Sequence, residues 1–223
     1  MAGAFCLSRR TRDDAECHSL GSQSPVSDAP PCPPAAAVEA FWLQLPLATV
    51  DGAVLRLAGG TTFLGSSNLS NAMFIRDDYR GLWTEMQRLI SSGLSRIVIS
   101  GNPGIGKSWF GLFVAFQLLS QMKPATIVWE ARLSGTRTLI RDSCVLRGNL
   151  DSFLDELDDS STWYLVDEAI FPGALRVEAH TLVFSSPKRD NYRLTLKSTA
   201  STLRHLPVWS WDEIDACRRT PRA

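Results

Sequence analysis

The sequence predicts an α/β fold: a three-layer sandwich with helices on both faces of a mostly parallel five-stranded sheet. Short apolar runs without polar alternation predict the sheet, because they are typical of strands buried on both faces. Helical stretches separate these runs along the chain, as in other α/β proteins. The 223 residues, 44% of them hydrophobic, are enough for one medium domain with an appendage.

Residues 1–38 are predicted to form a disordered leader. Proline occupies five of the ten positions from 25 to 34, and proline fixes φ and offers no backbone donor. Residues 39–74 are predicted to be an extended entry segment, because FWLQLPLATV and AVLRLA have the composition of strands. Gly59 and Gly60 interrupt this segment.

The folded domain is predicted to span residues 75–219, with residues 220–223 as a tail. An amphipathic helix over 76–94 opens the domain, because its apolar residues form one stripe at helical spacing. The later elements are predicted as strands at 96–100, 125–130, 163–167, 181–185 and 207–209, helices at 107–121, 150–157 and 212–218, and a hairpin-like piece at 138–147.

Residues 101–108 (GNPGIGKS) match the phosphate-loop pattern GxxxxGK[ST] at every defined position. The motif follows an apolar strand and begins an apolar helix, which is the context that phosphate binding requires. Its glycines let successive backbone N–H groups point inward at phosphate oxygens. The motif predicts a P-loop NTPase domain, and its alternative is an ordinary glycine-rich turn between a strand and a helix.

The predicted nucleotide-binding residues are those of the loop and the first helical turn: Gly101, Asn102, Pro103, Gly104, Ile105, Gly106, Lys107, Ser108 and Trp109. We expect Lys107 to contact the β- and γ-phosphates as a catalytic residue, and the Ser108 hydroxyl to bind Mg²⁺. No NKxD signature follows the last strand. The cofactors predicted are therefore ATP and Mg²⁺ rather than a guanine nucleotide.

Two acidic residues, Asp167 and Glu168, stand at the end of the predicted strand WYLVD, about 60 residues after the glycine loop. Asp167 ends this strand at the sheet edge where α/β proteins bind ligands, and is predicted to help hold Mg²⁺. Glu168 is predicted to polarise the attacking water, its alternative being a solvated loop acid. Ser185 ends the next strand. It is a catalytic candidate if that strand lies between the other two, and otherwise a hydroxyl that bonds local backbone.

Composition excludes several classes of protein. Lys+Arg and Asp+Glu number 23 each, so the basic excess of a nucleic-acid coat protein is missing. No apolar run approaches 18 residues, so no membrane span is expected. The five cysteines are scattered, and the start of the chain has no apolar run of a secretory signal. These features predict an intracellular, reducing location.

Six short segments of the sequence carry a resemblance to one family: FIRDDY (74–79), GNPGIGKS (101–108), VLRG (145–148), YLVD (164–167), SSPKRDNY (185–192) and PVWSW (207–211). GNPGIGKS and YLVD are of kinds that all P-loop proteins share, whereas the other four are much more particular. In their order and rough spacing, the chain resembles the P-loop NTPase module of Crinkler effectors and retrotransposon hot spot proteins. The resemblance covers about residues 63–217, most of the predicted folded part.

The resemblance implies an ATPase module with a five-stranded sheet. Many members carry a nuclease-like domain beyond this module, and Crinklers are regarded as secreted proteins that act in a host nucleus. The resemblance therefore implies that nucleic acid or a host protein is the partner. This chain departs from the pattern because it ends after the fifth predicted strand and its leader lacks the ubiquitin-like header. A truncated effector-like protein is the corresponding expectation.

Three functions stay open at this point. The first is an ATPase of the Crinkler type, which Lys107, Asp167 and Glu168 together favour. The second is a non-catalytic nucleotide-binding or interaction module with a vestigial site. The third is a small-molecule kinase, for which Lys188, Arg189 and Arg193 are the only candidate lid residues. A homo-oligomer is compatible with all three, since many such ATPases complete the site with a neighbour's arginine.

Overall fold

The computed structural model describes residues 34–122, 124–131, 135–142, 144–167 and 177–220. Most of the predicted leader, residues 1–33, therefore lies outside the described residues, as do Glu168 and the tail residues 221–223. The described chain has an α/β architecture, with one large mixed sheet, one small antiparallel sheet and five α-helices.

The N-terminal part consists of helix α1 (Ala35–Gln44) and three short strands. Strands β1 (Thr49–Asp51), β2 (Val54–Arg56) and β3 (Ala72–Phe74) pair in that order as an antiparallel sheet. Helix α1 begins within the range predicted as leader.

The prediction of extended structure at 41–44 is wrong, because these residues belong to α1. The segment AAAVEAFWLQ is rich in alanine, which strongly favours a helix. Phe41 and Trp42 are both buried in the core, so tertiary packing overrides the strand preference of aromatic residues.

The remaining described elements begin as alternating helices and strands and then include two runs of three strands each. They are α2 (Asp77–Ser91), β4 (Arg96–Ser100), α3 (Lys107–Gln121), β5 (Thr126–Ala131), β6 (Thr136–Arg141), β7 (Cys144–Gly148), α4 (Leu154–Leu157), β8 (Trp163–Asp167), β9 (His180–Ser185), β10 (Ser201–His205) and α5 (Trp211–Arg219). The predicted bounds of α3 and β8 are confirmed.

The large sheet has seven strands in the order β10-β4-β9-β8-β5-β6-β7, so the predicted count of five is too low. The first five strands in this order are mutually parallel. Strands β6 and β7 extend the sheet in antiparallel pairing, as the continuation of a hairpin. The connections from β5 to β6 and from β6 to β7 are too short to contain a crossover helix, and connections this short can join only antiparallel neighbours.

The last strand of the sheet is β10, at 201–205, and not the predicted segment 207–209, which lies outside any strand. Pro207 has no N–H to donate to a ladder. The sequence STLRH of β10 is mostly polar and only half-buried, because β10 is an edge strand paired with β4 alone. An apolar run could not reveal such a strand.

Both faces of the large sheet are covered. On one face, Ile99, Leu165 and Phe184 pack with apolar residues of α1, α2 and α3. On the other, Val98, Val166 and Val183 pack with Leu157 of α4 and with Tyr192. Each face takes alternate residues of a strand, which explains why these strands are apolar throughout. None of the helices in the described part is long and apolar enough to cross a membrane.

Candidate functional site

The loop between β4 and α3 lies at the carboxyl edge of the parallel strands. Gly104 and Gly106 have φ values of +79° and +97°, which residues with a side chain rarely adopt. Asn102 and Pro103 are exposed, whereas Ile105 is buried and anchors the loop on the core. The loop leads directly into α3, whose first N–H groups and positive dipole end favour an anion.

Lys107, the first residue of α3, folds its side chain back over the loop. Its Nζ donates hydrogen bonds to the carbonyl oxygens of Gly101 at 2.8 Å and Asn102 at 2.9 Å. The ammonium group therefore lies at the mouth of the glycine loop, close to where an anion bound by the loop N–H groups would be.

Ser108 and Asp167 meet across 59 positions of sequence. The Ser108 hydroxyl donates a hydrogen bond of 2.8 Å to Oδ1 of Asp167, the last residue of β8. Asp167 lies two residues after Leu165, on the face of the sheet that packs against α3. The oxygen chemistry of this pair suits Mg²⁺, which prefers hard oxygen ligands.

Strand β9 lies between β4 and β8, as the interpretation of Ser185 requires. Ser185 itself pairs in register with Ser100 of β4, and it follows Phe184, the register partner of Asp167. Because side chains alternate along a strand, Ser185 lies on the face opposite to Asp167. The structure thus brings Ser108 and Asp167 together, and Ser185 does not join this pair.

The hydroxyls of Ser185 and Ser100 are both buried, and neither has a hydrogen-bond partner among the described residues. Two neighbouring unpaired hydroxyls are unusual, since buried polar groups are nearly always bonded. Ser100 was not singled out by its sequence. Ser100 ends an apolar strand just before the glycine loop, and this position is the only feature of the sequence from which it could have been identified.

Glu168 lies outside the described residues, so its role as the group that polarises water stays a prediction. Lys188, Arg189 and Arg193, the candidate lid of a kinase, are exposed. Trp109 is half-buried in the first turn of α3, and its ring packs on Phe63 at a centroid distance of 5.1 Å.

Arg76 is the residue near the loop that sequence reasoning missed. Its guanidinium is fully buried and donates to the carbonyl oxygen of Ile105 in the loop at 3.0 Å. The guanidinium also donates to the carbonyl oxygen of Pro207 at 2.9 Å and forms a bidentate ion pair with the carboxylate of Glu213 in α5. One side chain thus joins the start of α2, the glycine loop and the C-terminal segment.

Two carboxylates balance the buried charge of Arg76. Asp78 accepts a hydrogen bond of 2.8 Å, and Glu213 accepts two, at 3.0 and 3.1 Å. The hydrogen bonds from Arg76 hold the pKa of Glu213 below its usual value. The ring of Trp209 lies 4.7 Å from the guanidinium carbon, within cation–π distance.

Tyr79 supports the same loop from the side of α2. Its hydroxyl donates a hydrogen bond of 2.7 Å to the carbonyl oxygen of Gly106. A Cβ at Gly106 would collide with this hydroxyl, so Gly106 serves close approach as well as positive φ. Burial raises the pKa of the Tyr79 phenol, although the charge of Arg76 opposes this. The hydroxyl therefore stays a neutral donor at physiological pH.

The phrases FIRDDY and PVWSW thus meet beside the glycine loop. Arg76 and Tyr79 come from the first phrase, and Pro207, Val208 and Trp209 from the second. The sequence did contain an indication of this role. Arg76 stands between an apolar segment and an amphipathic helix, and an arginine that is buried in such a position needs paired groups. Apart from Asp78, its partners could not be identified from nearby sequence, because they lie up to 137 positions away.

A second buried ionic cluster joins β5, β6 and β8. Arg137 donates to Glu130 at 2.8 Å and to the Ser152 carbonyl at 3.1 Å, while the Tyr164 hydroxyl donates to the same Glu130 oxygen. Burial, and next the charge of Glu130, raise the pKa of Tyr164. All three side chains are buried and bond one another, which is the condition under which a buried ion pair is tolerated. The cluster ties the antiparallel extension to the parallel strands.

Comparison with known proteins adds no family. No protein-family model matches the chain, and no curated protein has significant sequence similarity to it.

Proposed function

We propose that the chain is a P-loop NTPase module that binds Mg-ATP and hydrolyses it slowly. The observation that carries the proposal is the hydrogen bond between Ser108 and Asp167. It joins the residue after the loop lysine to a carboxylate at the end of a parallel strand, two positions in the sheet from the loop strand. An ordinary glycine-rich turn has no need of either residue.

The phosphates of the nucleotide would bind over the glycine loop. Backbone N–H groups of the loop and of the first turn of α3 supply donors, and the helix dipole adds positive potential. Lys107 supplies a full positive charge, now held by the carbonyl groups of Gly101 and Asn102. A phosphate would replace these carbonyls as the partner of the ammonium group.

Ser108 and Asp167 would hold Mg²⁺ together with the phosphates. Among the described residues, no group of three or more His, Cys, Asp or Glu side chains could hold a metal by itself. A site that is formed partly by the protein and partly by substrate phosphates is typical of Mg²⁺, which also keeps several waters among its ligands. When bound, the ion neutralises charge on the β- and γ-phosphates.

Hydrolysis would proceed by attack of a water oxygen on the γ-phosphorus. The bond from that phosphorus to the bridging oxygen breaks, and ADP leaves while inorganic phosphate forms. The proton of the water passes to a base, and we assign this role to Glu168, which follows Asp167 in the chain. Lys107 would stabilise the charge that develops on the phosphoryl oxygens.

The resemblance to Crinkler and retrotransposon hot spot proteins enters here as part of the proposal. It rests on the six segments named above, and the contact that two of them, FIRDDY and PVWSW, make around the loop through Arg76 supports it. Nucleic acid or a host protein would be the partner whose handling ATP hydrolysis drives.

An ATPase assay of the purified full chain tests the proposal. Glu168→Gln removes the proton acceptor and keeps the size, so turnover should fall by about 10²-fold or more with ATP binding retained. Asp167→Asn should weaken binding that depends on Mg²⁺. Asp155→Asn, an exposed acid in α4, is the matched control and should behave as the parent.

Two outcomes would contradict the proposal. If Glu168→Gln hydrolyses ATP as fast as the parent, Glu168 is a loop acid. If the parent binds ATP and hydrolyses none of it, with or without added nucleic acid, the chain is a non-catalytic nucleotide-binding module.

A further inference from the structure

A cavity of about 220 Å³ lies beside the first turn of α3. Four aromatic side chains contribute to its wall, together with Met73 and two small residues. The lining includes Phe74, Tyr79, Trp109, Trp209, Ala72 and Cys217. We call this space the aromatic cavity.

Two of the lining residues connect the aromatic cavity to the phosphate loop. Trp109 directly follows Ser108 in α3, and Tyr79 donates its hydroxyl hydrogen to the carbonyl of Gly106. In a phosphate loop, the N–H groups cradle the α- and β-phosphates, and the lysine reaches toward the γ-phosphate. The nucleoside is attached at the α-phosphate, which the loop N–H groups hold, and the aromatic cavity adjoins this loop through Tyr79 and Trp109.

The chemistry of the wall suits a flat, neutral ring. Aromatic side chains bind nucleobases by stacking, which needs no match of hydrogen-bonding groups. None of the lining residues is Asp, Glu, His, Lys or Arg, so the cavity offers no charged side chain to attract a phosphate.

The wall is also held in place before any ligand arrives. The Trp209 ring lies against the Arg76 guanidinium at 4.7 Å, and its other ring neighbour is Phe74 at a centroid distance of 6.0 Å. Arg76 also donates hydrogen bonds to the carbonyl oxygens of Pro207 and Val208, the two residues that directly precede Trp209. A wall fixed in this way loses little entropy when a ring binds.

We propose that the aromatic cavity binds the base of the nucleotide whose phosphates occupy the loop. This inference rests on the proposed function and deepens it, because it makes the ligand a nucleoside triphosphate rather than any polyphosphate. Trp109 would be the residue that stacks on the base, since it links the cavity to the helix that begins at Lys107.

Calorimetric titration of the full chain with Mg-ATP and with Mg-tripolyphosphate tests the inference. The parent should bind ATP at least about tenfold more tightly than tripolyphosphate, the usual effect of stacking one base. Trp109→Ala should lose about this factor for ATP and bind tripolyphosphate as the parent does. Trp211→Ala is the matched control, because Trp211 is exposed in the neighbouring helix and should change neither affinity.

A second variant keeps the test decisive if Trp109→Ala fails to fold. Cys217→Phe fills the cavity from α5 and keeps all four aromatic wall residues, so it should weaken ATP binding and spare tripolyphosphate binding. Equal affinities of the parent for both ligands, or unchanged ATP binding in both variants, would overturn the base site and leave the phosphate site standing. A parent that binds neither ligand would overturn the proposed function as well.

Discussion

At the scale of single residues, Lys107 combines a structural contact with its proposed role. Its ammonium group donates to two loop carbonyls, one partly buried and one exposed. Water can take over both acceptors when the side chain is removed, so the loop does not depend on this lysine for its fold.

Lys107→Ala should therefore cost about 1 kcal/mol or less of unfolding free energy. The rise in Tm caused by Mg-ATP should vanish, because a ligand stabilises only the state that binds it. Differential scanning fluorimetry with and without Mg-ATP measures both effects. Lys197→Ala removes an exposed lysine outside the loop and should keep the full shift. An equal shift in Lys107→Ala would refute the assignment.

Gly106 shows why the loop pattern could be recognised from sequence. Its φ of +97° and the nearby Tyr79 hydroxyl leave no room for a Cβ, so glycine is required there for local reasons. Ser185 shows the reverse. Its position at a strand end was predictable, but the face it occupies depends on the register of three strands.

At the scale of elements, α1 is the clearest case of tertiary packing deciding structure. Trp42 is buried and packs against Trp129 of β5 at a centroid distance of 5.5 Å, while Phe41 packs against Phe63. The helix therefore belongs to the core of the domain rather than to its leader.

Trp42→Ala should destabilise the protein by about 3 to 5 kcal/mol, the usual cost of removing a large buried aromatic side chain. Urea denaturation followed by circular dichroism measures the change. Glu39→Ala lies on the exposed side of the same helix and should stay within about 0.5 kcal/mol of the parent. A cost below about 1 kcal/mol for Trp42→Ala would mean that α1 contributes little to the core.

At the scale of the whole molecule, the ion pair of Arg76 and Glu213 joins segments 137 positions apart. The pKa of Glu213 is lowered in the folded state by the hydrogen bonds from Arg76. A carboxyl with a lowered pKa contributes stability above its unfolded pKa, and this contribution is lost as the pH falls through its folded pKa.

Glu213→Gln should reduce the unfolding free energy at pH 7 by about 1 to 3 kcal/mol, because it removes charged hydrogen bonds to a buried guanidinium. The difference from the parent should narrow as the pH falls from the usual glutamate pKa through the lowered pKa of Glu213, because protonation removes the same charge from the parent. Urea titrations at several pH values measure it. A difference that is constant over this range would show that the charge of Glu213 contributes nothing.

The sequence by itself determined the α/β class, the glycine loop and the acidic strand end. Each of these depends on short-range features: apolar runs, the spacing of glycines around Lys107, and an acid directly after WYLV. Only the tertiary structure decided that the sheet has seven strands, that β9 separates β4 from β8, and that Arg76 joins the loop to the C-terminal segment. The physical reason is that periodicity and turn chemistry act between near neighbours in the chain. Strand order and a buried arginine's partners depend instead on the packing of residues as many as 137 positions apart.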